Sequence, residues 1–371
     1  MAEKNVLDHL TGIRSLLALW IVCGHYMPRA PSLGVLQAAT CRSFMAVDFF
    51  VVMSGFITHW SYGKRLRTGE LSVGGFYIRR LSYIILTTYV AMTMSILVVL
   101  VVPAYRSSFM PSAWTLLSCF GFVAHWIRPS TWCPAPPSWT IEALIPSWLL
   151  YPFLRRLLER IDAQHGSGAL LLSALLVYLV SFGPLFALYL HQGYQLTWGQ
   201  YATDFMWPPA QLGDFAIGVI TAICSQKDES SEGWIGKAVL ADVSLLACVG
   251  LVLFLPPPAT HAECEANSSA LLTHGLALAI AAFIYGSRKG GICAFFLSHP
   301  ALVSLGKYSF EVYLFQWPLL AMFRQLCQQW PLAPDAFMAF LLLLWLVAGT
   351  YVEVLAPLIN VGVRRLAASE T

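Results

Sequence analysis

The stretch LTGIRSLLALWIVCGHY, residues 10–26, decides how the rest of the chain is read. With its neighbours it is long and apolar enough for a membrane-crossing helix, which takes about 20 mostly apolar residues. It nevertheless holds Arg14 near one end and His25 near the other. Ionisable groups inside a membrane helix are costly, and they face the bundle interior or a water-filled cavity along functional paths. The two lie 11 positions apart. At about 100° per residue that spacing is three turns and nearly one helix face. At about 1.5 Å of rise per residue it is roughly 16 Å along the axis.

The same character runs outward through the chain. Of 371 residues, 58% are hydrophobic and 11% charged, against about 25% charged in a soluble domain. Too few charges remain to coat a water-facing surface, so apolar surface must face lipid. The reading is an all-α, polytopic transmembrane helix bundle forming one domain over residues 1–371. No linker, charge run or fixed-period repeat divides it. The N-terminus does not read as a signal peptide, because Arg14 interrupts the apolar run and no small-residue cleavage site follows. Spans are expected near 11–28, 44–61, 81–102, 140–158, 168–190, 206–224, 238–255, 269–286, 306–323 and 336–358, which makes ten.

The stretch 112–127 is short and runs into a proline-rich segment. If it does not cross, 17 of the 22 Lys and Arg fall on the cytoplasmic side and five outside; if it crosses, the counts become nine and 13. Cytoplasmic loops carry the excess of positive charge. The expectation is therefore both termini cytoplasmic, with 112–127 re-entrant or lying on the outer surface and a cavity opening outward near Trp132, Trp139 and Glu142.

Asp48 and Glu142 fall at the outer ends of the second and fourth spans, the depth of His25. A neutral imidazole oriented by a carboxylate is a good general base near neutral pH. Taken alone, His25 is equally an interior histidine bonded to a backbone carbonyl, and the two carboxylates are equally helix-end groups facing water. Lys64, Arg65, Arg67, Arg79 and Arg80 make the loop before the third span basic. Such a loop sets topology and attracts lipid headgroups, or it holds the phosphates of a charged donor.

A net charge of +3 is too small to imply nucleic acid. The nine cysteines show no CxxC or zinc spacing, and neither HExxH nor a phosphate loop occurs, so no metal site is expected. Cys41, Cys133, Cys264 and Cys327 fall outside, as does a glycosylation sequon at Asn267.

Six blocks in order resemble the acyltransferase-3 family of membrane-bound O-acyltransferases: LTGIRSLLALWIVCGHY (10–26), VDFFVVMSGFI (47–57), FYIRRLSYI (76–84), SWTIEALIPSWLLYPF (138–153), GDFAIGV (213–219) and LGKYSFEVYLFQWPLL (305–320). The resemblance implies transfer of an acyl group, acetyl or similar, from an acyl-CoA-type co-substrate to a hydroxyl of a carbohydrate or other acceptor, with no tightly bound cofactor. His25 would be the base, with Asp48 and Glu142 as its catalytic companions. Arg14, Arg79 and Arg80 would hold the donor. Ser54, Trp139, Tyr313 and Gln316 would contact substrate, the acceptor entering beside Trp139. Ser15, Ala143 and Gln316 stand where the family often has Gly, a second Glu and His. A transporter would be expected to show matching repeat halves, which the chain lacks. A non-catalytic sensor or scaffold would fit Ala143 and Gln316, but retention of Arg14, His25 and Glu142 argues for an enzyme.

Overall fold

A computed structural model describes residues 7–27, 34–103, 105, 110–193, 197–228, 233–254, 273–328 and 332–358. Cys264 and the sequon at Asn267 lie outside these. Among the described residues all regular structure is helical. Among the described residues four helices are long and apolar enough to cross a membrane: Val73–Val101, Pro136–His191, Trp234–Phe254 and Pro334–Leu358. Their most apolar windows are only 39%, 22%, 22% and 22% buried inside the protein, so most of their surface faces outward and is apolar. Leu97, Val101, Leu171, Leu246 and Leu342 are exposed, while Asp48, Asp214, Glu142, Glu311 and His274 are buried. A polar interior under an apolar coat suits a lipid surround, in which charged side chains face the bundle interior.

The helices that build the site are α1 (Asp8–Tyr26), α2 (Gly34–Cys41), α3 (Met45–Thr68), α4 (Val73–Val101), α5 (Ala113–Phe120), α6 (Ala124–Ile127) and α7 (Trp139–Ser181). They are followed by α8 (Gly183–Gln192), α9 (Trp198–Phe205), α10 (Leu212–Lys227), α11 (Trp234–Phe254), α12 (Ala277–Ser287), α13 (Ile292–Leu297), α14 (Pro300–Gly306), α15 (Ser309–Cys327) and α16 (Pro334–Thr350). Local chemistry sets their ends. α3 stops at Gly69, whose φ of 79° closes the helix in the left-handed region. Ser72 then caps α4 by accepting from the Gly75 amide at 3.0 Å. Pro136 and Pro137 form the tight turn that launches α7. α7 covers the expected span 140–158 and the start of 168–190, whose rest falls on α8, and it breaks between the two at Gly166, where φ is 75° and ψ is −178°.

α3 and α10 cross at the centre. A Cβ on Gly55 would run into the Phe215 carbonyl oxygen, and one on Gly218 into that of Val52. Small residues let membrane helices approach backbone to backbone, where packing rather than the hydrophobic effect holds them. The stretch 112–127 breaks into α5 and α6, eight and four residues long. Neither reaches the length a crossing needs. Together with the proline-rich run to 138 they form a strap.

Candidate active site

α1 and α15 run side by side in the same direction, and their contacts locate the site. Arg14 Nε donates to Ser309 Oγ at 3.1 Å. Farther along both helices, His25 Nδ1 meets Gln316 Oε1 at 3.1 Å. Positions 309 and 316 share a face of α15, as 14 and 25 share a face of α1.

At the Arg14 end lies a cavity of ≈ 510 Å³. Arg14, Arg80 and Lys307 line it, with Glu311 as its carboxylate. Arg80 Nη2 and Trp148 Nε1 each donate to Ser54 Oγ at 3.1 Å, and the Arg80 guanidinium stacks 4.9 Å over the Trp148 ring. Tyr83 donates to Glu311 Oε1 at 2.6 Å, which fixes that carboxylate to one wall. Val47, Phe50, Val51 and Leu144 make the rest largely apolar. The cavity suits a molecule with an anionic head and a long, weakly polar arm.

A second cavity, ≈ 590 Å³, lies toward the other end of α4, between Ile96, Val99, Trp317 and the strap. Its lining combines Trp114, Trp132 and Trp317 with Ser112, Thr115, Ser130, Thr131 and the cation Arg128. Aromatic faces beside hydroxyls are suited to a polyol. The strap is tied twice. Cys119 and Cys133 form a disulfide. The Glu142 carboxylate accepts from the His125 backbone amide at 2.7 Å and pairs with His125 Nδ1 at 2.8 Å.

On α15, Tyr313 lines the first cavity and Trp317 the second, so Gln316 and its partner His25 fall between them. His25 itself is not in the lining of either cavity. His25 is exposed, unlike the buried Gln316 beside it. Tyr26 packs against the His25 ring edge to face, centroids 5.5 Å apart.

The structure thus brings together Arg14, Arg80, Ser54 and Tyr313 around one cavity, and His25 with Gln316 at the boundary. Other expected residues go elsewhere. Arg79 is exposed and absent from the cavity lining, because neighbouring helix positions point about 100° apart and only Arg80 faces inward. Glu142 is engaged by His125, and Asp48 has neither oxygen bonded among the described residues. Its electrostatic neighbours are Asp214, His274 and Asp204, with His274 Nδ1 2.7 Å from Asp214 Oδ2. The ring of His25 is therefore met by a carboxamide rather than by either carboxylate. Trp139 is buried against Phe205, ring centroids 4.7 Å apart, and Trp132 rather than Trp139 lines the second cavity. Cys133, expected among the outer cysteines, pairs with Cys119 of the stretch 112–127. Sequence reasoning did not assign Lys307, Ser309, Tyr83, Trp148, Arg128 and His125 to the site. Only Ser309 carried a signal, seven positions before Gln316 on the same helix face.

No curated protein and no solved structure matches the chain. A family model described as an acyltransferase domain matches residues 7–354, nearly the whole length, and the chain belongs to the acyltransferase-3 family.

Proposed function

We propose that this membrane acyltransferase moves an acyl group from an acyl-CoA-type thioester, acetyl-CoA foremost, to a hydroxyl of a carbohydrate or similar polyol, with His25 as general base. The observation that carries the reading is an order of groups: Arg14, Arg80 and Lys307 around one cavity, the exposed His25 imidazole farther along α1 against Gln316, and a second, aromatic cavity bordered by Trp317 on α15. Ten spans with both termini cytoplasmic would put the basic cavity inside, where the donor is made, and the aromatic cavity outside.

The donor's phosphates bind Arg14, Arg80 and Lys307, guanidinium groups being suited to bidentate phosphate contacts. The arm lies along Val47, Val51 and Leu144 and carries the thioester toward His25. The acceptor hydroxyl enters from the aromatic cavity. His25 takes its proton as the oxygen attacks the thioester carbon. When the tetrahedral intermediate collapses, the carbon–sulfur bond breaks and the imidazolium returns that proton to the departing sulfur, leaving an ester and a free thiol.

Thiol release from acetyl-CoA by purified protein, with and without a polyol acceptor, tests this. Wild type should release thiol, and His25→Ala, shown folded and inserted, should lose about 10²–10⁴-fold, the usual share of a positioned base. Full activity in His25→Ala would sink the mechanism.

A further inference from the structure

The orientation of one side-chain amide decides which nitrogen of His25 is available. The Gln316 carboxamide sits between two partners: one of its atoms lies 2.7 Å from the Tyr313 main-chain oxygen, the other 3.1 Å from His25 Nδ1. A carbonyl oxygen only accepts, so the atom facing Tyr313 is the Gln316 nitrogen, donating. The atom facing His25 is then the amide oxygen, which carries no proton and also only accepts. Nδ1 must therefore hold the ring proton in the neutral imidazole, and Nε2 carries the lone pair. Among the described residues no hydrogen bond engages Nε2.

We infer that Gln316 is a positioning residue that locks His25 in the Nδ1–H tautomer, through the chain Tyr313 C=O, Gln316 amide, His25 ring, and so presents Nε2 as the basic atom. The inference rests on the proposed role of His25 and adds which nitrogen acts and what holds it. A carboxylate could fix the same tautomer, but it would bring a negative charge into the bundle that a carboxamide does not. During the reaction Nδ1–H stays on Gln316, while Nε2 accepts the hydroxyl proton and gives it back to sulfur. The ring never rotates. The buried carboxylates Asp48 and Glu142 take no part in this arrangement.

The test combines nitrogen NMR and kinetics on protein labelled with ¹⁵N-histidine in nanodiscs, the His25 signals assigned by their loss in His25→Gln. Ring ¹⁵N shifts distinguish a protonated nitrogen from one with a lone pair. Wild type should show Nδ1 protonated. Gln316→Met, close in length and without an acceptor, should lose that preference. It should lower kcat for thiol release from acetyl-CoA by about 10- to 100-fold, part of what a positioned base supplies, with the donor KM unchanged. Gln316→Glu, which keeps the acceptor and adds charge, should retain Nδ1–H. It should also move the acid limb of kcat/KM to higher pH by about one unit or more, since a nearby negative charge favours the imidazolium. A merely structural role would alter yield or KM and leave the tautomer alone. Protonated Nε2 in wild type, or an unaltered tautomer and rate in Gln316→Met, would overturn the inference. Absence of thiol release from wild type would end the proposed function instead, while the ¹⁵N readout would still decide the tautomer.

Discussion

Glu142→Ala should release the strap over the aromatic cavity without unfolding the bundle. Glu142 and His125 are each 2% exposed and share two hydrogen bonds, 2.7 and 2.8 Å. Alanine orphans the backbone amide and the imidazole Nδ1 together. A buried donor left without a partner costs about 1–3 kcal/mol, so two cost about 2–6. Breaking a buried pair typically costs about 3–5 kcal/mol, inside that window. At about 1.4 kcal/mol per factor of ten, strap opening should become roughly a hundred- to several-thousandfold more frequent. The loss stays local, because the Cys119–Cys133 disulfide still tethers the strap and the packing of α3 on α10 is untouched. Hydrogen exchange by mass spectrometry in nanodiscs reads this directly: peptides covering 113–135 should lose protection while α3 and α10 keep theirs. His125→Ala keeps the backbone bond to Glu142 and should cost less. The double variant should fall short of the sum, as contacting residues do. Unchanged strap exchange in Glu142→Ala would refute the reasoning. If turnover were lost while strap exchange stayed unchanged, Glu142 would act at the chemistry itself.

Other outcomes follow from single contacts. Arg80→Lys keeps the charge but gives up the stack on Trp148 and the hydrogen bond to Ser54; losing about 1 kcal/mol should lower kcat/KM for the donor about fivefold. Gly218→Ala drives a methyl into the Val52 carbonyl and should cost about 1–3 kcal/mol of overpacking, seen as a lower unfolding temperature. Gly250→Ala, which meets nothing within 4 Å, should be silent in the same melt. Cys119→Ser opens a loop of separation 14, worth about 3 kcal/mol by loop-closure entropy, and should raise strap exchange while leaving thiol release measurable.

Periodicity carried the part of the site that lies along helix axes. Arg14 and His25 share a face because of their spacing alone, and the structure puts both against α15. Azimuth was not legible. Asp48 turns toward Asp214 and His274 because α3 crosses α10 through Gly55 and Gly218, and nothing in a single helix's pattern says which neighbour will press against which face. Arg79 and Arg80 show the same limit, since adjacent positions cannot both face inward and only the packing of α4 selects Arg80. Glu142 was the hardest case. Its partner His125 sits on a four-residue helix, too short to have a period, and Cys119 belongs to the same segment. Charge counting placed that segment on the outer side, but the contacts that fasten it are tertiary.

The span from Arg14 to His25 constrains the donor itself. On the proposed reading the cationic groups and the base act on opposite ends of one molecule, roughly 16 Å apart along α1. Binding energy gathered at Arg14 and Arg80 then serves to hold a distant thioester in place. Energy from remote contacts is expressed in turnover, so truncating a substrate lowers kcat as well as affinity. A short acetyl thioester without phosphates forfeits at least two charge-assisted contacts, each worth about 1.5–3 kcal/mol, and its kcat/KM should fall at least about a hundredfold below that of acetyl-CoA. Arg80→Lys, which slows use of the full donor, should make no difference to the short one, because there is no head left for Arg80 to hold. His25→Ala should abolish both. A short thioester that turned over as well as the full donor, or that suffered equally from Arg80→Lys, would mean that the basic cavity does not carry the donor's head and that the cations serve the fold.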